Sequence, residues 1–243
     1  MPRLVLPAVL VFLFILASPA EAGRLYARRP GTASPIYNLA QTEVRSRTTI
    51  RNLLAITHVD ETFHNDTGTD LEGFYVFALP EGATVDGLWM WLDGMRYTFV
   101  VKRKEEAQQI YDSLQQYKIG DPVILESMGS NRFQIRITPI HPDDSRRIEL
   151  QYFQVLPVTS DGMVRYDYPM NMSGYQGDGV HVLDLGVRLD MDAPIEHLTT
   201  NFDDLPLMLG QTRPSDRLFD LHPAAGEVVL EQGFTVSFRR EGW

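Results

Sequence analysis

From Gln41 onward, apolar and polar residues alternate in short runs separated by Gly, Pro, Asn and Asp. A period of two belongs to a strand with one buried face, and runs of this length between turn residues belong to sandwiches and barrels. The pattern predicts strands over Thr42–Ile50, Leu53–His64, Gly73–Ala78, Val85–Leu92, Met95–Val101, Val123–Ser127, Arg132–Thr138 and Arg146–Val155. Further strands are predicted over Met163–Tyr168, Val180–Asp190, Glu227–Glu231 and Phe234–Arg239. No repeat of fixed period runs through the chain, which argues against a propeller or solenoid.

One segment departs from this rhythm. Across Arg103–Tyr117, the residues Ala107, Ile110, Tyr111, Leu114 and Tyr117 recur at spacings of three and four, one face of a helix, and Gly120 and Pro122 close it. Lys102-Arg103-Lys104 stands at the positive end of that helix dipole, with Glu105 and Glu106 offsetting it in part, as a solvated helix start. The expected fold is mainly β: an antiparallel β-sandwich with one amphipathic α-helix insert, followed by a β-rich C-terminal extension over 159–243.

The hairpin Leu88–Phe99 can be resolved residue by residue, because Asp93-Gly94 is the dipeptide favoured in a two-residue hairpin loop. That loop sets Leu92 opposite Met95, Met90 opposite Tyr97 and Leu88 opposite Phe99, an apolar side expected to be core. The other side pairs Trp91 with Arg96 and Trp89 with Thr98. Trp89, Trp91 and Arg96 are therefore the candidate interaction face. A bare face would be a platform for a protein partner or a sugar, whereas a face under another layer would be core.

Candidate chemistry is sparse. His58, Asp60, Thr62 and His64 share a strand face, but His58 and His64 lie about 20 Å apart at 3.3 Å per residue and cannot hold one ion. Asp66, Asp70 and Glu72 lack the ordered oxygen spacing of a calcium loop. Asp143-Asp144 and Asp203-Asp204 read as turn residues. No nucleophile elbow, phosphate loop or dinucleotide glycine pattern occurs, so no catalytic residue, cofactor or metal is expected. Asn65-Asp66-Thr67 and Asn171-Met172-Ser173 are glycosylation sequons, which carry meaning only in a host with that pathway.

Composition narrows the setting. The 243 residues contain no cysteine, which removes disulfides, thiolate metal sites and thiol nucleophiles. Lys and Arg number 22 against 32 Asp and Glu, and a net charge of −10 makes nucleic acid a poor partner. At the start, Arg3, the apolar run Leu4–Leu16 and Ala20-Glu21-Ala22 have the form of a cleavable signal peptide over 1–22, cut before Gly23. The run of about 13 residues falls short of the roughly 20 needed to cross a bilayer, and no later stretch is apolar enough. The mature chain is expected to be secreted or periplasmic, with no permanent membrane span. Residues 23–40, basic and rich in Gly, Pro, Ser and Thr, read as a flexible leader.

A series of short motifs appears in order: Phe63-His64-Asn65, Tyr75-Val76-Phe77-Ala78-Leu79-Pro80, the tryptophan hairpin, then Lys104-Glu105-Glu106-Ala107 with Tyr111. Leu125-Glu126, Asn131-x-Phe133, Ile140-x-Pro142, Glu149-Leu150-x-Tyr152 and Leu156-Pro157 follow. Together they resemble the VIT domain, the vault protein inter-alpha-trypsin domain, over 41–158. The resemblance implies a β-sandwich carrying one helix, without catalytic residues, usually preceding a von Willebrand factor type A domain. The Asp-x-Ser-x-Ser signature of such a domain is not found; Asp143-x-Ser145-x-Arg147 begins it and fails at the last position. The Asp-Pro-His ending through which inter-alpha-trypsin heavy chains attach to hyaluronan is not found either, since Val123 follows Asp121-Pro122. Residues 159–243 resemble the β-rich stretch that links the two modules, and a type A domain would be expected to begin where the sequence reaches Trp243.

The resulting expectation is a non-enzymatic protein-interaction module whose partner is another protein or an adjoining type A domain. The rival expectation, from another class, is an extracellular carbohydrate-binding or glycoside-hydrolysing sandwich using the Trp89/Trp91 face. Hydrolysis there would need two carboxylates about 5 to 9.5 Å apart beside the rings.

Overall fold

The computed structural model describes residues 23–33, 35–92, 94–99, 125–129, 131–168, 182–201, 209–212, 215–223 and 233–242. Sixteen strands run through them: β1 (Arg24–Arg28), β2 (Ile36–Asn38), β3 (Ala40–Arg51), β4 (Leu54–His64), β5 (Leu71–Ala78), β6 (Ala83–Leu92), β7 (Met95–Thr98) and β8 (Leu125–Gly129). The second half comprises β9 (Arg132–Ile140), β10 (Ser145–Val155), β11 (Val164–Tyr168), β12 (Val182–Asp190), β13 (Ile195–Thr200), β14 (Leu209–Thr212), β15 (Leu218–Pro223) and β16 (Phe234–Arg240). The described residues contain no helix. The helix expected over Arg103–Tyr117 lies outside them, as do the expected signal peptide and the strand over Glu227–Glu231.

The strands form three sheets. An eight-stranded sheet has the order β14-β15-β12-β3-β4-β10-β6-β7, a five-stranded sheet β2-β1-β5-β9-β8 and a three-stranded sheet β11-β16-β13. Within residues 41–158 every strand pair is antiparallel, and β12 joins the large sheet parallel to β3 along nine residue pairs, Val182↔Glu43 to Asp190↔Arg51. The extension therefore continues the sheet begun by the preceding segment.

The core lies against the inner face of the large sheet. Alternation fixes which residues reach it: Ala55, Thr57, Val59, Glu61 and Phe63 of β4 point inward, as do Ile148, Leu150 and Tyr152 of β10. The five-stranded sheet meets them through Tyr75 and Phe77, with Phe63 and Tyr75 in an edge-on ring pair at 5.8 Å. The three-stranded sheet meets them through Tyr166, whose hydroxyl lies 2.8 Å from both Thr48 and Thr57. Tyr166 is fully buried, and three hydroxyls satisfying one another let it sit there without an orphaned polar atom.

Residues 23–40 are not a flexible leader. Arg24–Arg28 pairs with β5 along five residues and with β2 on its other side. Leu25 and Ala27 are fully buried, while Arg24, Tyr26 and Arg28 alternate outward and Arg28 reaches Glu72 at 3.1 Å. Burying Leu25 alone is worth about 2 kcal/mol. Two inward residues are too few to show a period against an Arg- and Pro-rich background.

The hairpin has the expected register, Leu92↔Met95, Met90↔Tyr97, Trp91↔Arg96 and Trp89↔Thr98, with Phe99 N–H donating to Leu88 C=O. Its apolar side is core only at the base. Leu88, Met90 and Phe99 are buried, but Met95 and Tyr97 are exposed on β7, at the end of the sheet order.

Candidate interaction surface

The outer face of the large sheet carries what the two-residue period turns away from the core. On β6 this places Trp89 and Trp91 outward, flanked by Arg96 of β7 on one side and by β10 on the other. In β10 the register sets Arg147 opposite Trp91 and Glu149 opposite Trp89, and across the next ladder Glu149 stands opposite Asp60 and Gln151 opposite His58 of β4. Residues far apart in sequence thereby form one cluster.

Glu149 is its centre. Its side chain is only 6% exposed. It accepts hydrogen bonds from the Trp91 indole N–H and from Arg96 Nη2 at 2.6 Å, with Arg147 Nη2 at 3.2 Å and His58 Nε2 at 3.5 Å. Burial would raise its carboxyl, but donation by Trp91 and Arg96 and the positive charges of Arg96 and Arg147 outweigh it and hold the group below the usual range. Arg147 also grips Asp60 through two hydrogen bonds of 2.9 and 2.7 Å, a fork-to-carboxylate geometry.

Trp89 and Trp91 are half-buried, and among the described residues arginine side chains lie over them. The Arg96 guanidinium lies 4.0 Å over the Trp89 ring, and that of Arg147 lies 4.8 Å over Trp91. Arg96 thus stacks on the diagonal tryptophan and not on Trp91, its direct cross-strand neighbour. With one face of each ring under a guanidinium, the pair is not an open sugar platform. Asp60 and Glu149 are cross-strand neighbours beside the rings, but both serve Arg147, and the lowered Glu149 carboxyl is the opposite of what a proton-donating acid needs.

Along the same face, toward the other end of β4 and β10, lies an apolar strip. Leu54 faces Val155 and Ile56 faces Phe153, and all four side chains are exposed, Val155 at 65%. Apolar cross-strand pairs left in water beside a fixed charged cluster are what a docking surface needs.

Other candidate residues are dispersed. His64 reaches Ser145 at 3.2 Å and His58 belongs to the Glu149 cluster, so the two imidazoles go separate ways. Asp70 pairs with His141 at 2.8 Å, buried Glu72 serves Arg28 and Arg136, and Asp66 is exposed, so these acids do not converge. Among the described residues no group of three or more metal-ligating side chains forms. Asp143 takes a positive φ of 59° and Asp144 caps the same turn by accepting the His141 N–H at 3.2 Å. Asp203-Asp204 and Asn171-Met172-Ser173 lie outside the described residues.

The Asn65 sequon has a structural use. Asn65 is fully buried; its amide donates to the carbonyls of Thr69, Ile140 and His141, and its oxygen accepts from Thr67 N–H and hydroxyl. All its hydrogen-bonding capacity holds two loops together, which leaves the nitrogen no access to a glycosylating enzyme in the folded state.

Comparison with known families decides what this scaffold is. The vault protein inter-alpha-trypsin domain family matches residues 41–152. Residues 41–152 are a VIT domain. Its span takes in nearly all of β3, all of β4 to β9 and most of β10, hence Trp89, Trp91, Arg96, Glu149 and, of the apolar strip, Leu54 and Ile56. No curated protein sequence matches the chain significantly. Among solved structures, a Legionella pneumophila protein described as nutrient-binding is similar in fold over 91% of this chain and 70% of its own, at 9% identity and a TM-score of 0.54. A Deinococcus radiodurans M1 zinc metallopeptidase overlaps 82% of this chain at 13% identity and a TM-score of 0.41; the chain spans 42% of that enzyme. Among the described residues no helix is long and apolar enough to cross a membrane.

Proposed function

We propose that this is an exported, non-enzymatic protein-interaction module that binds a protein partner or an adjoining type A domain through the outer face of its large sheet. The observation that carries the reading is the exposed strip Leu54, Ile56, Phe153 and Val155 on the same sheet face as Trp89, Trp91 and Arg96. The strip supplies apolar area to be removed from water, and the Glu149 cluster supplies aromatic edges and guanidinium donors already fixed in place, so little ordering is left to be lost on binding. VIT membership supports an interaction role. The signal-like first 22 residues support export.

The test is proximity cross-linking in the native host with three chains: the parent, Phe153→Asp with Val155→Asp, and Trp89→Ala with Trp91→Ala. A partner captured by the parent and lost in the first variant, whose circular dichroism and melting stay unchanged, carries the reading. Equal capture by all three chains overturns it. If the tryptophan variant unfolds, those two rings serve the fold and the docking surface is the apolar strip alone.

A further inference from the structure

The first residue after the expected cleavage point occupies an unusual place. Gly23 is buried, directly precedes β1, and its backbone N–H donates to the carboxylate of Glu61 on β4. The approach is so close that a Cβ on residue 23 would stand 2.2 Å from both Glu61 Oε2 and the Tyr75 hydroxyl. Only glycine brings a backbone nitrogen there. Glu61 itself is 1% exposed. It accepts from Tyr75 at 2.5 Å and from Gln41 at 3.0 Å, and neither partner carries charge. A cavity of about 20 Å³ lies beside them, lined by Gly23, Glu61, Tyr75, Leu150, Tyr152 and Tyr168, with room for one water.

A buried carboxyl with neutral partners lacks its counter-ion. We propose that removal of residues 1–22 supplies it: the freed α-ammonium of Gly23 pairs with Glu61 inside the domain and fastens β1 to it, so that export processing completes the core. The inference rests on the export reading above. Hydrolysis adds one water across the Ala22–Gly23 peptide bond; Ala22 leaves with its peptide as a carboxylate, and the Gly23 nitrogen keeps the two further protons as –NH3+. Where the amide offered one N–H, the ammonium offers three and a full charge, with Glu61 and a cavity water as acceptors.

Before cleavage, burial pushes the Glu61 carboxyl up to about 7, with the Asp60 charge adding to this and the hydrogen bonds from Tyr75, Gln41 and Gly23 opposing it. A carboxyl raised in the folded state contributes stability that is full below its ordinary value near 4.5 and is lost as pH rises through about 7. Pairing with the ammonium removes that loss. The other titratable groups around it are Tyr152 of β10 and Tyr168 of β11, whose hydroxyls burial pushes up so that they stay neutral in this window, Tyr75 of β5, and Asp60 on the opposite face of β4.

The experiment compares the exported protein with a chain that keeps Pro19 to Ala22 ahead of Gly23, each also as Glu61→Gln. N-terminal sequencing comes first: a start other than Gly23 overturns the processing itself, separately from the pairing. With a Gly23 start, the urea midpoint is expected to hold from pH 5 to 7 in the exported chain and to fall over that window in the extended one, with Glu61→Gln erasing the difference. At pH 7 an amine-reactive reagent should label the Gly23 α-amine about tenfold more slowly than in Glu61→Gln, because the paired ammonium gives up its proton less readily. If Glu61→Gln fails to fold, the urea-unfolded exported chain is the labelling reference. Matching pH profiles with equal labelling rates overturn the pairing.

Discussion

Glu149 and Glu61 sit on adjacent strands of one sheet, each with its carboxylate almost wholly shielded from water, on opposite faces. Glu149 is ringed by Arg96, Arg147 and an indole N–H and is held low; Glu61 is ringed by a tyrosine hydroxyl, a glutamine amide and a backbone N–H and is pushed up to about 7. Glu61 lies deeper in the core, so desolvation weighs more on it, and its neighbours carry no charge to offset that; Glu149 lies at a face where two guanidinium groups do. The outer acid organises a charged surface, and the inner one keeps its proton until the pH nears 7.

The largest effect should come from Glu149→Ala, which strands Arg147, Arg96 and the Trp91 N–H. The loss should be about 2 kcal/mol at pH 7 by urea unfolding, at the low end for a broken pair because both arginines regain water. Since the Glu149 carboxyl is lowered in the fold, its contribution is present above pH 4.5 and lost as pH falls further, so parent and variant should converge in acid. A gap that persists at low pH would mean the side chain matters by packing alone. Next is Tyr75→Phe, expected to cost about 1 kcal/mol and to shift the Glu61 titration to higher pH, read by carboxyl NMR, because a hydrogen bond that opposes the rise is gone. A downward shift would sink the account of Glu61. The smallest is Arg96→Ala: 40% exposed, its side chain should be worth no more than about 0.5 kcal/mol, yet acrylamide should quench tryptophan fluorescence more strongly once Trp89 loses its lid. Unchanged quenching would mean the stacking is transient.

The contrast also shows what a single sequence can reveal. The hairpin register was readable because Asp93-Gly94 and the alternation on both sides are local signals. Long strands such as β4 and β10 were readable because their inward residues are large and regular. β1 was hidden because Leu25 and Ala27 are its only inward apolar residues, and β13 because a bulge between Ile195 and His197 breaks its period. β14 and β15 are short strands at the edge of the large sheet that also escaped notice. Trp89, Trp91 and Arg96 stood out in the sequence, but whether the rings were bare or covered depended on Arg147 and Glu149, over fifty residues further along, reaching them through the β6–β10 ladder. Glu61 carried no signal in the sequence, since its partners come from β3, β5 and the residue before β1.

The parallel β3–β12 ladder has a practical consequence for anyone wishing to isolate the VIT domain. Cutting the chain at its family boundary would strip β3 of a neighbour along Glu43 to Arg51 and leave a nine-residue row of backbone donors and acceptors open to solvent. Such an edge recruits whatever strand it meets, including that of a second copy. A fragment ending near residue 152 should therefore aggregate, whereas one carried through β15, which keeps both β3 and β12 paired, should stay monodisperse.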